Sequence, residues 1–485
     1  MTAAADVQTD NKASYHAIIN GQPVNITQTR AVHNPADGSL VGYAPLGTAA
    51  HLDDAVAAAR RAQPLWAALD DSERANACGN LAKALTDNAA ELAELLTKEQ
   101  GKPLKGMGSE FELGGCAGWM GFAAQQQLPV KVLQDDDAAR VEQHHVPIGV
   151  IGSITPWNWP LMIAIWHIAP ALRTGNCVVI KPSPYTTLST LRMVEILASH
   201  LPAGVLNIVP DGGDIGPAMA QHSGIDKITF TGSTATGQKI MAAAAPTLKK
   251  LTLEMGGNDA GIVLADADPQ TIAEGLFWGA FINNGQTCAA LKRLYVHDSI
   301  YDDVCAALSA VAGAVPMGNG LDENNVLGPL QNAMQFDKVS SLVEQAKADG
   351  ARILTGGQPL QPDSDGENYL YPITLIADAK EGMACVDEEQ FGPMLPIIRY
   401  SDVDDAVRQA NSLDIDLAAS VWSQDMDAAN AVARRLDAGT VYINKHGEVA
   451  PHIPFGGSRW SSIGVEFSEE GLAACTNIKI YNMAK

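Results

Sequence analysis

No stretch of this chain approaches ~18 consecutive apolar residues, the least that a membrane span requires. The best run, Pro160 to Leu172, is shorter and carries His167. The start, MTAAADVQTDNK, lacks the basic opening and apolar stretch of a secretory leader. Cysteine is sparse: seven residues, an odd number, with no CxxC pair. In a chain of this size that excludes a disulfide framework and reads as reduced thiols in a cytoplasmic protein. The eleven histidines form no HExxH and no Cys/His cluster, so no metal is expected. Positive charge is also scarce, with 32 Lys and Arg against 55 Asp and Glu and a net charge of -23. Nucleic acid and anionic membranes need basic patches, and both are excluded as main partners. There is no internal repeat and no low-complexity tract.

What remains is an ordinary globular composition, 46% hydrophobic and 18% charged over 485 residues. At ~100–200 residues per domain the chain holds two to four domains. Residues 1–48 read as short strands and turns, with NPADG a turn signal. Residues 51–102 read as helical, closed by Gly101-Lys102-Pro103. From 147 to 254, β-branched runs alternate with helices: GVIGSI, CVVIK, VLNIV, KITFT and LTLEM are the strands. That alternation predicts a parallel sheet covered by helices. A second α/β region runs from about 255 to 460. Two extended segments stand apart, roughly 127–147 and the terminal NIKIYNM, and are expected to pair away from the main body. Such an edge is a liability unless another chain covers it.

Five places carry possible chemistry. In Thr155-Pro156-Trp157-Asn158-Trp159-Pro160, Asn158 sits after a strand, where open α/β sheets build sites and an amide can donate to an oxyanion. A rigid turn packed by two tryptophans explains the segment equally. Lys181 ends the apolar strand CVVI and can reach ligand hydroxyls or phosphates, or be an exposed loop lysine. Gly232-Ser-Thr-Ala-Thr-Gly237, placed before a helix QKIMAAAA, suits a phosphate at a helix N-terminus but is not GxGxxG; ordinary capping is the alternative. Glu254, before Gly256 and Gly257, is either a general base or a solvated strand-end carboxylate. Cys288, in the polar turn Asn283-Asn-Gly-Gln-Thr-Cys288, is a better nucleophile candidate than Cys78, Cys116, Cys177, Cys305, Cys385 or Cys475, which lie in apolar or helical contexts. A free thiol has a pKa of ~8.5 and needs activation.

The ordered series TPWNWP, IKPSP, FTGSTATG, LEMGGND, GQTCAA, EEQFGP and PFGG resembles the NAD(P)-dependent aldehyde dehydrogenase superfamily, over nearly the whole chain. The resemblance implies an α/β fold in three parts. A Rossmann-like NAD-binding domain spans 1–126 and 147–254, and a catalytic domain 255–460. A small β bridging domain, 127–146 and 470–485, joins subunits into a homodimer or homotetramer. It implies Cys288 as nucleophile, Glu254 as general base and Asn158 as oxyanion donor. Lys181 falls to the adenosine ribose, Gly232 and Ser233 to the pyrophosphate, Glu389 to the nicotinamide ribose and Phe391 beside its ring. Ile154, Thr155, Pro156, Trp157, Ser183, Pro184, Gly216, Phe230, Met255 and Gly256 complete the implied cofactor site. Trp159, Ile163, Trp166, Ile282, Thr287, Val449 and Phe455 would line the substrate tunnel, with His446, Glu448 and His452 nearby. None of those walls is basic, so uncharged aliphatic or aromatic aldehydes are expected over dicarboxylic semialdehydes.

The chain departs from the resemblance at two places. A proton relay that many members build from lysine and glutamate would here use His167 and Glu466. Pro184 stands where NAD-preferring members often have glutamate. No further Arg or Lys follows in KPSPYTTLST to hold a phosphate, so NAD is expected as main cofactor; Pro184 cannot repel a 2′-phosphate, so NADP is expected to support turnover and Pro184→Glu to suppress its use. Competing functions are a CoA-acylating dehydrogenase, which needs no Glu254 base, a non-redox thiol hydrolase, which needs a histidine partner for Cys288, and a non-catalytic binding protein.

Overall fold

The computed structural model describes residues 13–360 and 368–485, together with the backbone of 7–8. The rest of the polar start MTAAADVQTDNK lies outside the described residues. Among the described residues, four sheets organise the chain. In the largest, Val150–Ile154, Cys177–Lys181 and Leu206–Ile208 run parallel on one side, and Lys227–Thr231 and Lys250–Glu254 run parallel on the other. These five strands are buried except at the start of the last, so they read as apolar runs rather than alternating ones. Counted along the chain, the central order is 3-2-1-4-5. The order reverses between Val150–Ile154 and Lys227–Thr231, and the crevice outside the carboxyl ends of those two strands is where such sheets bind dinucleotides. Antiparallel strands close the sheet at each end: Ala17–Ile19 with Gln22–Val24, and Ser462–Ile463.

The helices crossing this sheet follow the expected pattern with one shift. Pro160–Arg173 starts on a proline, which suits the first helical turn, and is buried on almost every face. The last crossover helix begins at Thr234, not after Gly237. Ser233 takes the extended N-cap conformation and its hydroxyl meets that of Thr236, so Thr234–Gly237 forms the helix's own first turn. Gly237 is required there by packing: a Cβ would fall 2.3 Å from Met255 Sδ. Ahead of the sheet, the expected helical region consists of Ala49–Ala67, Asp71–Asp87 and Ala89–Gln100. A fourth helix, Ser109–Gln125, follows. Gly101 ends the third at φ 95°, a left-handed cap that favours glycine.

The second large sheet has seven strands in the order Arg352–Thr355, Thr374–Ala377, Met394–Tyr400, Leu291–His297, Asp259–Val263, Ala418–Trp422 and Thr440–Ile443. All its pairs are parallel except the first. The two stray extended segments do pair. Thr476–Ala484 runs antiparallel to Ala139–Pro147 in an unbroken nine-residue register, and Lys131–Asp135 flanks the other side. Among the described residues no helix is long and apolar enough to cross a membrane.

Candidate active site

Cys288 lies just before the strand Leu291–His297, at the end of a turn in which Asn283 and Asn284 both adopt left-handed backbone angles. It is half-buried, whereas the other six thiols are buried. Burial pushes its thiol up to about 12; Lys292 pulls it down, and Asp259, Glu389 and Glu254 push it up further. Lys292 stands four residues on. Its ammonium donates to the Cys288 backbone carbonyl, lies 3.4 Å from Glu389 Oε1, and sits 5.8 Å from the Phe391 ring.

Asn158 approaches the same turn from the first crossover. Its amide Nδ2 donates to the Gln286 carbonyl at 3.0 Å, leaving its second N–H for another acceptor. Its own carbonyl accepts from Asn283 Nδ2 and from Lys102 Nζ, each at 2.8 Å. Lys102 belongs to a fully buried ion pair with Glu112, and Glu112 in turn accepts from the backbone N–H groups of Leu161 and Met162. A buried pair of this kind is costly to break from one side, so it fixes both the PWN turn and the helix behind it. Lys102 lies in the segment Gly101-Lys102-Pro103 that closes the helical region in the sequence. A lysine between glycine and proline carries no sign of burial.

Glu254 ends its strand buried, with Ser462 Oγ donating to Oε1 at 2.7 Å and Oε2 unpartnered. Burial first, and the nearby Glu466 second, hold its carboxyl well above the ordinary value. Strand-end solvation is therefore not its state. His167 faces Glu466 with Nε2 3.3 Å from Oε1, while its Nδ1 meets Ser153 Oγ at 2.8 Å and its Nε2 meets Thr231 Oγ1 at 3.2 Å. A cavity of about 20 Å³ beside His167, Glu466, Thr229 and Lys227 is large enough for one water, which needs ~10–15 Å³.

The implied cofactor residues gather on the reversal crevice. Ile154 and Thr155 leave the first strand, and Thr155 Oγ1 is buried without a partner. Trp157 meets Phe391 edge-on at 5.4 Å. Phe230 packs beneath Gly232, where a Cβ would fall 2.5 Å from its ring. Glu389 accepts from the Gly257 N–H at 3.2 Å, and a Cβ on Gly256 would come within 2.4 Å of Glu389 Oε2. Lys181 reaches Asp211 at 2.9 Å, with Gly216 close by; Ser183 Oγ accepts from the Tyr185 N–H, and the Pro184 carbonyl accepts from Arg30. An orphaned hydroxyl at the reversal, a helix N-terminus at Ser233 and glycines that keep the floor open fit a dinucleotide.

Most of the residues expected to line a substrate tunnel lie in or against one core. Trp159, Ile163, Trp166 and Phe455 share one core, with Ile282, Val449 and Cys288 packed against it. Trp159 Nε1 donates to Thr287 Oγ1 at 2.9 Å. Val449 and Phe455 border a cavity of about 420 Å³ whose rim carries Glu448, His452 and Lys445. His446 points elsewhere: it is buried between Ser420 and Asp259.

Together these elements fit an enzyme that binds a dinucleotide in the reversal crevice. The family described as "Aldehyde dehydrogenase family" matches residues 24–481. A phenylacetaldehyde dehydrogenase of Pseudomonas fluorescens is 37% identical over 95% of this chain and 93% of its own. The NAD+ complex of an aldehyde dehydrogenase from Bacillus cereus superposes with a TM-score of 0.93 at 33% identity, covering 97% of this chain and 96% of that one. An NADP dependent enzyme of E. coli gives 0.93 at 32%, covering 98% of each. The chain belongs to the aldehyde dehydrogenase family and is an NAD(P)-dependent enzyme that oxidises an aldehyde to its acid.

Proposed function

We propose that Cys288, Glu254 and Asn158 carry the reaction, and that its substrates are uncharged aliphatic or aromatic aldehydes. The observation that supports the assignment most is the pairing of a half-buried thiol with a buried carboxylate that keeps one oxygen free. The Cys288 sulfur attacks the aldehyde carbon once its proton has been taken, and Glu254 is the carboxylate suited to take it. The free N–H of Asn158 and the backbone N–H of Cys288 hold the oxyanion, an effect worth ~3–4 kcal/mol per donor. NAD(P), when bound, accepts the hydride. The acyl group stays on Cys288 as a thioester. Glu254 then draws a proton from water, which attacks the thioester and releases the acid. His167 and Glu466 pass the proton from Glu254 towards the small cavity behind them.

In the cofactor site Lys181 holds the adenosine ribose with Ser183, Pro184 and Gly216 around it. Gly232 and Ser233 meet the pyrophosphate, and Glu389 the nicotinamide ribose, with Phe391 at the ring. The aldehyde lies among Trp159, Ile163, Trp166, Ile282, Thr287, Val449 and Phe455. The rim lysine, Lys445, is paired with Glu448 and offers no free anchor for a second carboxylate. The phenylacetaldehyde enzyme among the relatives acts, by its name, on an uncharged aromatic aldehyde. The bridging strands are proposed to seat a second subunit, and the enzyme to act in the cytoplasm as a homodimer or homotetramer.

Single-turnover kinetics test the assignment. Cys288→Ala should abolish NADH formation while leaving NAD bound. Glu254→Gln should slow the single burst of NADH and then accumulate acyl-enzyme visible by intact mass. Wild-type turnover in either variant refutes the role given to that residue. A higher kcat/KM for succinic semialdehyde than for hexanal refutes the substrate class.

A further inference from the structure

The carboxylate that Pro184 does not supply reaches the same place from a different loop. Cys177–Lys181 and Leu206–Ile208 are adjacent parallel strands in register, Ile180 opposite Ile208. Their carboxyl ends therefore bring Lys181 beside the loop that follows, Pro210-Asp211-Gly212-Gly213. Asp211 Oδ2 accepts from Lys181 Nζ at 2.9 Å, and Oδ1 accepts from the Gly213 N–H at 2.7 Å and the Ile215 N–H at 3.4 Å. The two side chains are 9% and 14% exposed, so both are fixed and both remain reachable from the crevice. Burial alone would push the Asp211 carboxyl up; Lys181 and the two N–H groups outweigh it and hold it below the usual value. It is an anion at neutral pH.

We infer that Asp211 sets the choice between NAD and NADP. This rests on the reading that Lys181 holds the adenosine ribose. An ionised carboxylate beside that lysine accepts from a ribose hydroxyl, the task an acidic residue performs in other dinucleotide sites. A 2′-phosphate in the same place meets like charge, and it must compete with Asp211 for Lys181. Arg30 does not reverse the balance. Its guanidinium is committed to the Pro184 carbonyl and lies in the field of Asp211, Glu99 and Tyr185. With Asp211 neutralised, Lys181 would face the phosphate without its paired carboxylate. The expected selectivity for NAD is therefore stronger than Pro184 alone suggests.

The test is equilibrium binding of NAD and NADP, by calorimetry, to wild type, Asp211→Asn, Asp211→Glu and Lys181→Met, each checked for folding by thermal unfolding. Asparagine keeps the acceptor for the Gly213 N–H, and glutamate keeps the charge. Wild type should bind NAD more tightly than NADP. Asp211→Asn should weaken NAD and strengthen NADP, moving their ratio by roughly tenfold or more, the worth of one charged hydrogen bond. Asp211→Glu should retain the preference for NAD. An unchanged ratio in Asp211→Asn, or wild-type binding that favours NADP, overturns the inference. Lys181→Met separates the two readings: weaker binding of both cofactors keeps Lys181 at the ribose, whereas no change in either removes the placement and the inference together.

Discussion

Lys292 illustrates how a single buried cation serves two neighbours. It favours the Cys288 thiolate, against burial and three carboxylates, and it also holds Glu389. Lys292→Met should move the pH dependence of Cys288 alkylation by iodoacetamide to higher pH; an unshifted profile would mean that the ammonium does not act on the thiol. Glu254 carries the complementary pH behaviour. Its raised pKa means that the stability its neutral form provides is present at low pH and is lost as pH rises through the raised value. The base form appears over that same range, so turnover should climb as stability declines. Glu466→Gln removes one of the two causes of the shift, and the ascending limb of the kcat profile should move to lower pH. Cys288, Glu254 and Asn158 stand out as candidates in the sequence because each sits in a short motif beside a strand. Lys292, Asp211 and Ser462 were not, since each acts through a partner distant in the chain or carried on another loop.

At the scale of the element, glycine shows which crossings are tight. A Cβ on Gly439 would lie 1.8 Å from the Gly456 carbonyl, and Gly456 in turn borders the Glu254 carboxylate. Gly439→Ala has to displace backbone rather than a flexible side chain, so it should cost ~1–3 kcal/mol of stability and lower turnover as well. Thermal unfolding beside a steady-state assay checks both effects. The strands and crossover helices of the first large sheet were readable because buried parallel strands are continuous apolar runs and their crossovers are long; the second sheet was read only as an α/β region. The start of the helix Thr234–Ala244 was misplaced because its first turn is built from Thr, Ala, Thr and Gly, residues that resemble a loop until the Ser233 cap is seen. The antiparallel strand Ser462–Ile463 is two residues long and leaves no pattern at all.

For the whole molecule, the short three-stranded sheet is the part that faces outward. Val130, Val132 and Leu133 on one segment, and Ile478, Ile480 and Met483 on the other, are exposed apolar side chains. These side chains are what the proposed subunit contact would cover. Ile478→Lys with Ile480→Lys should lower the mass measured by light scattering toward that of one chain, whereas an unaltered oligomer would place the subunit contact elsewhere. Composition had already separated this sheet from the body, since both segments are extended and partly polar.

The pairing of Thr476–Ala484 with Ala139–Pro147 has a further consequence for how the chain is made. The two partners are separated by most of the sequence; His145 and Thr476, which meet at 2.8 Å, are 331 residues apart. Closing so large a loop is slow, and ribosomal synthesis proceeds from the N-terminus. The strand Ala139–Pro147 must therefore wait, one edge unpaired, until Thr476–Ala484 has left the ribosome. The first large sheet waits as well, for Ser462–Ile463. Nascent chains truncated before 462 should be caught by chaperones and sensitive to protease, and resistance should appear only with full-length release.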